Sequence, residues 1–341
     1  MPRRIVVPLD GSNVSECALP FARGLAHSSG VAVSLLTVAD APGSLPEPTA
    51  GTEPDASSEP WDNPTAMRGA LPTAPGTSTR APSDDELEEV TERSEDAEAY
   101  LQRVATTFED TPVETRVQYG DPATHIVDFT SRRALASGEG IAEDCAVVMA
   151  THGRTGLGRV LLGSVTWSVV KSGSFPVFLV PGRDEDDASS GSAQIEQVLV
   201  ALDGSSFSEQ ILQAYRTWLA DTVQSAHLIT VTDPPPSSLD QDIAPTDDQG
   251  RTEEDRARRY LSHVATSLEA EGMQVTWEVA QGDVVETITS VADAINADLI
   301  ALATHSRTGL TRLRVGSVAE KLLQQRSRPL LLVHPDQGDS E

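Results

Sequence analysis

Met149-Ala-Thr-His-Gly-Arg-Thr-Gly-Leu-Gly-Arg-Val-Leu-Leu-Gly-Ser-Val-Thr-Trp-Ser-Val-Val-Lys171 is the stretch whose reading decides the fold class. It follows the apolar run Ala146-Val147-Val148, which reads as the end of a buried strand. It then crosses a glycine-bearing loop, and Gly163-Ser164 open a helix. A loop of this kind ahead of a helix start turns backbone N–H groups and the positive end of the helix dipole toward an anion. A second copy runs Leu302-Ala-Thr-His-Ser-Arg-Thr-Gly-Leu-Thr-Arg-Leu-Arg-Val-Gly-Ser-Val-Ala-Glu-Lys321. Two copies of one phosphate-type loop predict a duplicated nucleotide-binding unit.

Working outward, the rest of the chain repeats with the loops. Asp10 recurs as Asp203 and Val38 as Val231, both at the same offset. Tyr100-Leu-x-x-Val-Ala-Thr recurs from Tyr260, and Gly120-Asp121 as Gly282-Asp283, both at a shorter offset. Thr151-His152 recurs as Thr304-His305 and Gly163-Ser164 as Gly316-Ser317, at an offset shorter again. Blocks kept in one order signify internal duplication. The first fall in offset lies across Ala41–Asp84, where nine prolines occur among Gly, Ser, Thr and Ala. That segment is read as a disordered insertion, too poor in apolar side chains to offset its chain entropy.

Within each copy the pattern alternates strand and helix. Ile5–Leu9 and Val31–Val38 are apolar runs flanking a helical stripe of Val14, Cys17, Ala18, Phe21, Ala22 and Leu25, with Ser12 as cap and Pro20 expected to kink the helix. Glu86–Phe108 restores helical spacing, Val113, Val117 and Tyr119 alternate as a strand, and a helix follows through Ile126, Val127 and Phe129. Phe175–Val180 is the last strand of the first copy. The expected fold is α/β: two tandem open parallel sheets of Rossmann-like type. The first domain covers 1–181, an acidic linker 182–194, the second domain 195–335, and an acidic tail 336–341.

Composition narrows the function. Acidic residues number 52 against 25 basic ones, a net charge of −27, which repels nucleic acid and anionic membrane alike. Salt screens such self-repulsion, so a halophilic archaeal source is expected. Cys17 and Cys145 read as small core hydrophobes in a reducing compartment. Met1-Pro-Arg-Arg leads straight into a strand, and no run approaches a membrane span, so the expected location is cytoplasmic.

Ligands of open parallel sheets bind outside the carboxyl ends of the strands, where strand order reverses. Asp10, Val38 and Met149-Ala150 occupy those ends in the first copy. Asp10 can accept hydrogen bonds from ribose or adenine, and Val38 offers an apolar contact; Asp10 also fits a plain turn former. His152 and His305 have no evident base or nucleophile partner and read as turn residues. Arg154, Arg159, Arg307, Arg312 and Arg314 suit either phosphate contacts or a solvated basic patch. The Gly-x4-Gly-Lys-Ser/Thr loop, an early Gly-x-Gly-x-x-Gly fingerprint and zinc-protease spacing are all absent from the sequence.

These residues and their order resemble the universal stress protein family, specifically its tandem members, over about residues 3–40, 86–181 and 196–335. The resemblance implies an adenine nucleotide alpha hydrolase-like fold, with Pro176–Val180 and Pro329–Val333 pairing as edge strands into an internal pseudo-dimer. The alternative for these strands is cover by their own helices. The family's ATP-binding members carry Gly-x2-Gly-x9-Gly-Ser/Thr. Here the matching positions are Ala150, Gly153 and Gly163-Ser164 in the first copy, and Ala303, Ser306 and Gly316-Ser317 in the second. The first half therefore fits the pattern better than the second.

The implied ATP-binding set is Pro8, Leu9, Asp10, Val38, Met149, Ala150, Gly153, Arg154, Gly163, Ser164 and Val165. Its second-half counterpart is Ala201, Leu202, Asp203, Val231, Leu302, Ala303, Gly316, Ser317 and Val318. The expected function is a stress-response module that binds ATP, with or without Mg²⁺, and acts on a protein partner. No catalytic or metal-ligating residue is expected. Slow ATP hydrolysis or nucleotidyl transfer, a nucleotide-free interaction role, and a further homodimer stay open as alternatives.

Overall fold

In a computed structural model, residues 3–39, 84–135, 144–151, 163–182, 194–220, 222–233, 248–304, 316–325 and 328–334 are described. The proline-rich insertion, the linker, the tail and both glycine-bearing loops lie outside these residues, apart from single flanking positions.

The first half runs β1 (Arg4–Pro8), α1 (Asn13–Glu16), α2 (Leu19–Ser29), β2 (Ala32–Ala39), α3 (Asp84–Ala105), β3 (Val113–Tyr119), α4 (Pro122–Leu135), β4 (Cys145–Ala150), α5 (Ser164–Ser172) and β5 (Val177–Val180). The second runs β6 (Gln197–Ala201), α6 (Gln210–Trp218), β7 (Ser225–Thr232), α7 (Asp248–Ala270), β8 (Val275–Gln281), α8 (Val284–Ala294), β9 (Leu299–Ala303), α9 (Ser317–Gln325) and β10 (Leu330–Val333). The sequence repeat carries over element by element: β1 and β2 recur as β6 and β7, β3 as β8, and α5 and β5 as α9 and β10.

The strands described form one ten-stranded sheet, ordered β3-β2-β1-β4-β5-β10-β9-β6-β7-β8. Every pairing among them is parallel except β5 with β10, which is antiparallel, with Leu330 opposite Leu179, Leu331 opposite Phe178 and Leu332 opposite Val177. The expected pairing of the last strands between halves is therefore observed. One consequence concerns direction: β1–β5 point one way and β6–β10 the other, so the strand carboxyl ends of the two halves lie at opposite ends of the sheet.

Helices cover both faces. Phe21, Leu25 and Leu101 of the first half share one core with Tyr215, Trp218 and Leu261 of the second, while Ile126 and Val169 share the other with Ile288 and Leu322. Phe178 sits at the seam with 0% exposure, its ring 5.6 Å from that of Phe21. Ser29 Oγ donates to the Trp218 carbonyl at 3.4 Å, tying α2 to α6, and the Arg3 guanidinium, just before β1, donates to the Thr217 carbonyl.

One local expectation is corrected. The stripe from Val14 to Leu25 forms two helices rather than one kinked helix, because Pro20 sits in the first turn of α2, where its missing N–H is no loss. Ser12 caps α1, its hydroxyl accepting from Ser15 N, and Cys17 lies half-buried between the helices, whereas Cys145 is fully buried.

Candidate functional site

The strand order of the first half reverses between β1 and β4, and the described residues of the expected site lie at or after the ends of β1, β2 and β4 and at the start of α5. β1 ends in half-buried Pro8 and buried Leu9, whose amide donates to Leu36 O at 2.8 Å. Asp10 follows, exposed, and the chain turns at Gly11 with φ +79°, a conformation that a side chain would strain. Asp10 Oδ1 accepts from Ser12 N at 3.0 Å and Ser12 Oγ at 2.6 Å. Ser12 Oγ accepts from Ser15 N at 3.2 Å, and Ser15 Oγ donates to Ser12 O at 2.9 Å. Burial works to raise the Asp10 carboxyl, but hydrogen bonds from Ser12 and Ser15 outweigh it and hold the carboxyl below its ordinary value. Asp10 thus does form the turn, and it places an ionised carboxylate just past the end of β1, beside the strand-order reversal.

Across the reversal, buried Met149 and Ala150 close β4. Gly163, buried, is the N-cap of α5 and lacks a side-chain cap, so the first N–H groups of α5 have no such acceptor. Ser164 beside it is exposed and Val165 half-buried. Val38, at the end of β2, is half-buried against the core that holds Leu36, Ile126 and Met149. Gly153 and Arg154, with His152 and Arg159, fall outside the described residues.

The second half repeats the arrangement. Ala201 and Leu202 lead to exposed Asp203, whose Oδ1 accepts from Ser205 N at 2.9 Å and Ser205 Oγ at 2.5 Å. Leu302 and Ala303 close β9, half-buried Val231 is the last residue but one of β7, and Gly316 precedes Ser317 and Val318 at the start of α9. His305, Ser306 and the arginines of this loop lie outside the described residues.

Two pairs of residues went unread as site residues in the sequence. Tyr100 OH donates to Glu16 Oε1 at 3.0 Å, bracing α3 against α1 just behind the Asp10 turn. Burial and the Glu16 carboxylate push its phenol far above the usual range, and Tyr260 beside Glu209 is raised for the same reasons. The Tyr-Leu-x-x-Val-Ala-Thr repeat was the available signal. Thr37 and Thr166, buried hydroxyls inside apolar stretches, bond the carbonyls of Leu9 and Ala150 at 3.0 and 3.4 Å. Among the described residues no group of three or more His, Cys, Asp or Glu is arranged to hold a metal ion, and no helix is long and apolar enough to cross a membrane.

The profile of the universal stress protein family matches residues 1–62, 65–181 and 194–334. The chain belongs to the universal stress protein family. A universal stress protein of Mycolicibacterium smegmatis is 29% identical over 194 residues, covering 55% of this chain and 61% of that protein. The chain thus spans less than two thirds of that relative's length. The stress response protein NhaX of Bacillus subtilis is 27% identical over 164 residues, covering 40% of this chain and 97% of NhaX. Among solved structures, a universal stress protein from Archaeoglobus fulgidus superposes with a TM-score of 0.63 at 17% identity, covering 97% of this chain and 98% of that one. That likeness concerns the fold.

Proposed function

We propose that the chain is a stress-response module that binds an adenine nucleotide, ATP first, at the strand-order reversal of its first half. The observation that carries this reading is that the Asp10 turn after β1 and the glycine-capped start of α5 after β4 belong to the two strands between which the strand order of the first half reverses. The carboxylate suits ribose or adenine donors, and the N–H groups of α5 suit phosphate. Arg154 and Gly153 would extend the phosphate contacts, and Mg²⁺ would enter as the nucleotide's counter-ion. Asp203 and Gly316-Ser317 form the second, weaker candidate.

Occupancy would act locally. The described residues of the halves share one sheet and two cores, so the effect of a nucleotide would fall on the loops that a protein partner meets. The net charge of −27 supports a salt-adapted cytoplasmic protein. Alanine at positions 150 and 303, where the family pattern has glycine, favours a second reading as a nucleotide-free interaction module.

The test is to purify the protein in high salt, denature it, identify released nucleotide, and titrate ATP, ADP and AMP by calorimetry with and without Mg²⁺. Release of an adenine nucleotide, and ATP binding in the first half that Asp10→Ala weakens by at least about tenfold, are expected. No released nucleotide and no heat with any of the three would leave only the interaction reading.

A further inference from the structure

The aspartate turns of the two halves are alike, but the carbonyls beneath them are not held alike. In the first half, both strands that border the reversal end on a carbonyl that accepts from a buried threonine hydroxyl. Thr37 Oγ1, from β2, donates to Leu9 O at 3.0 Å, and Thr166 Oγ1, from α5, donates to Ala150 O at 3.4 Å. The second bond joins the first turn of α5 directly to the end of β4, across the whole intervening loop. Thr166 is 2% exposed and Thr37 9%.

Neither tie is found among the described residues of the second half. The residue matching Thr166 is Ala319, 1% exposed, which has no hydroxyl to give. The residue matching Thr37 is Thr230, 6% exposed, and its Oγ1 is buried with no hydrogen-bond partner among the described residues. At this position α9 therefore offers no hydroxyl to the end of β9. A helix start held by an oriented hydrogen bond to the strand it must face needs less ordering when an anion arrives.

We infer that Thr166, assisted by Thr37, is a positioning residue that pre-sets the start of α5 against the end of β4 and makes the first half the tighter nucleotide site. The inference rests on the nucleotide-binding reading above and specifies which contact separates the two sites. Thr166 need not touch the nucleotide; it acts through the backbone of Gly163 and Ser164. A buried hydrogen bond contributes about 0.5–1.5 kcal/mol net, so the tie should alter affinity by roughly two- to tenfold.

Calorimetric titration with ATP tests this, each site being isolated by Asp203→Ala or Asp10→Ala in the other half. Thr166→Val keeps the volume and removes the hydroxyl, and should weaken the first site about fivefold. Thr166→Ser should restore affinity to within about twofold, because the hydroxyl alone is at issue. Ala319→Ser adds the missing hydroxyl and should tighten the second site. Equal weakening by Thr166→Val and Thr166→Ser, or wild-type affinity in Thr166→Val, overturns the inference. If Thr166→Val does not fold, Ala319→Ser decides alone, and an unchanged second site counts against it. If no variant and no wild-type protein binds ATP, the functional proposal fails separately. Hydrogen exchange in the ligand-free protein then judges the tie: faster exchange of the Ser164–Trp167 amides in Thr166→Val but not Thr166→Ser upholds it, and unchanged exchange removes it.

Discussion

The two halves agree most where the backbone turns and differ most where strands are bridged. The Asp10 and Asp203 turns use the same set of hydrogen bonds, serine for serine. The Asp10 amide donates to Ser15 Oγ at 3.4 Å and the Asp203 amide to Ser208 Oγ at 3.3 Å. Ser12 Oγ reaches Asp10 Oδ1 at 2.6 Å, and Ser205 Oγ reaches Asp203 Oδ1 at 2.5 Å. A few residues away, the polar stripe across the sheet has changed its chemistry. In the first half Arg4 bonds Ser34 and Glu114, each at 3.0 Å, and Arg116 adds a 2.7 Å contact to Glu114. In the second half Gln197 stands for Arg4, accepting from Ser225, and His227 meets Thr276 at 2.7 Å. The turn is built from consecutive residues and specifies itself locally. The stripe draws on three separate strands, so one exchange shifts its neighbours without disturbing the fold. Self-contained geometry marks the crevice, and replaceable geometry marks the scaffold.

The largest effect should come from breaking the junction through which the halves can be compared at all. Phe178 lies on β5 opposite Leu331, against Phe21, with no exposed surface. Phe178→Ala should cost about 3–5 kcal/mol. Because both cores cross the seam, the wild-type protein should melt in one calorimetric transition and the variant in two. Two transitions in the wild type would mean that the halves are independent units.

Next comes the crevice itself. Asp10→Ala removes the carboxylate and opens the turn, and ATP affinity in the first half should fall by about 1.5–3 kcal/mol, as for a hydrogen bond to a charged group. Asp203→Ala should lower total ATP uptake less if the second site is the weaker, as proposed. Equal losses in separate titrations would erase the distinction between the halves.

A smaller, purely conformational contrast lies after β3 and β8. Gly120 and Gly282 both hold a left-handed φ, +130° and +137°. A Cβ at Gly120 would stand 2.7 Å from His125 Nε2, whereas at Gly282 its nearest neighbour is Thr287 Oγ1 at 3.2 Å. Alanine at either site should cost about 1–2 kcal/mol in strain, with the larger loss at Gly120, where the imidazole must also leave its 3.0 Å contact with Gln118. Urea midpoints of the two variants measure the difference.

How far the sequence could be read follows the same division. Repeats in constant order placed the strands, and the glycine-serine pair placed the start of α5, because both signals are local. The break at Pro20 was hidden by an apolar stripe that runs unbroken through it. The Tyr100 brace and the Thr37 and Thr166 ties depend on contacts between distant segments. A β-branched threonine in a buried strand looks like filler until its carbonyl partner is known.

The smallest contrast is electrostatic. Arg216 forks onto Glu271 at 2.7 and 2.9 Å, while Arg23, its counterpart on α2, joins no acid among the described residues. The pair is surface-placed, its side chains 33% and 38% exposed, so Glu271→Gln should cost only about 0.5 kcal/mol. The Arg216 hydrogen bond and charge hold the Glu271 carboxyl below the ordinary 4.5. With the folded value depressed, the pair's contribution is complete above the unfolded titration, near pH 4.5, and fades as pH falls through the lower folded value. The difference in urea midpoint between wild type and Glu271→Gln should therefore be present at pH 7, shrink in acid below about pH 4.5, and also shrink at about 1 M salt, where the screening length is about 3 Å. A difference that survives both acid and salt would mean that the fork stabilises through packing of the Arg216 stem on α6 rather than through charge, and that Arg23 and Arg216 are more alike than their pairing suggests.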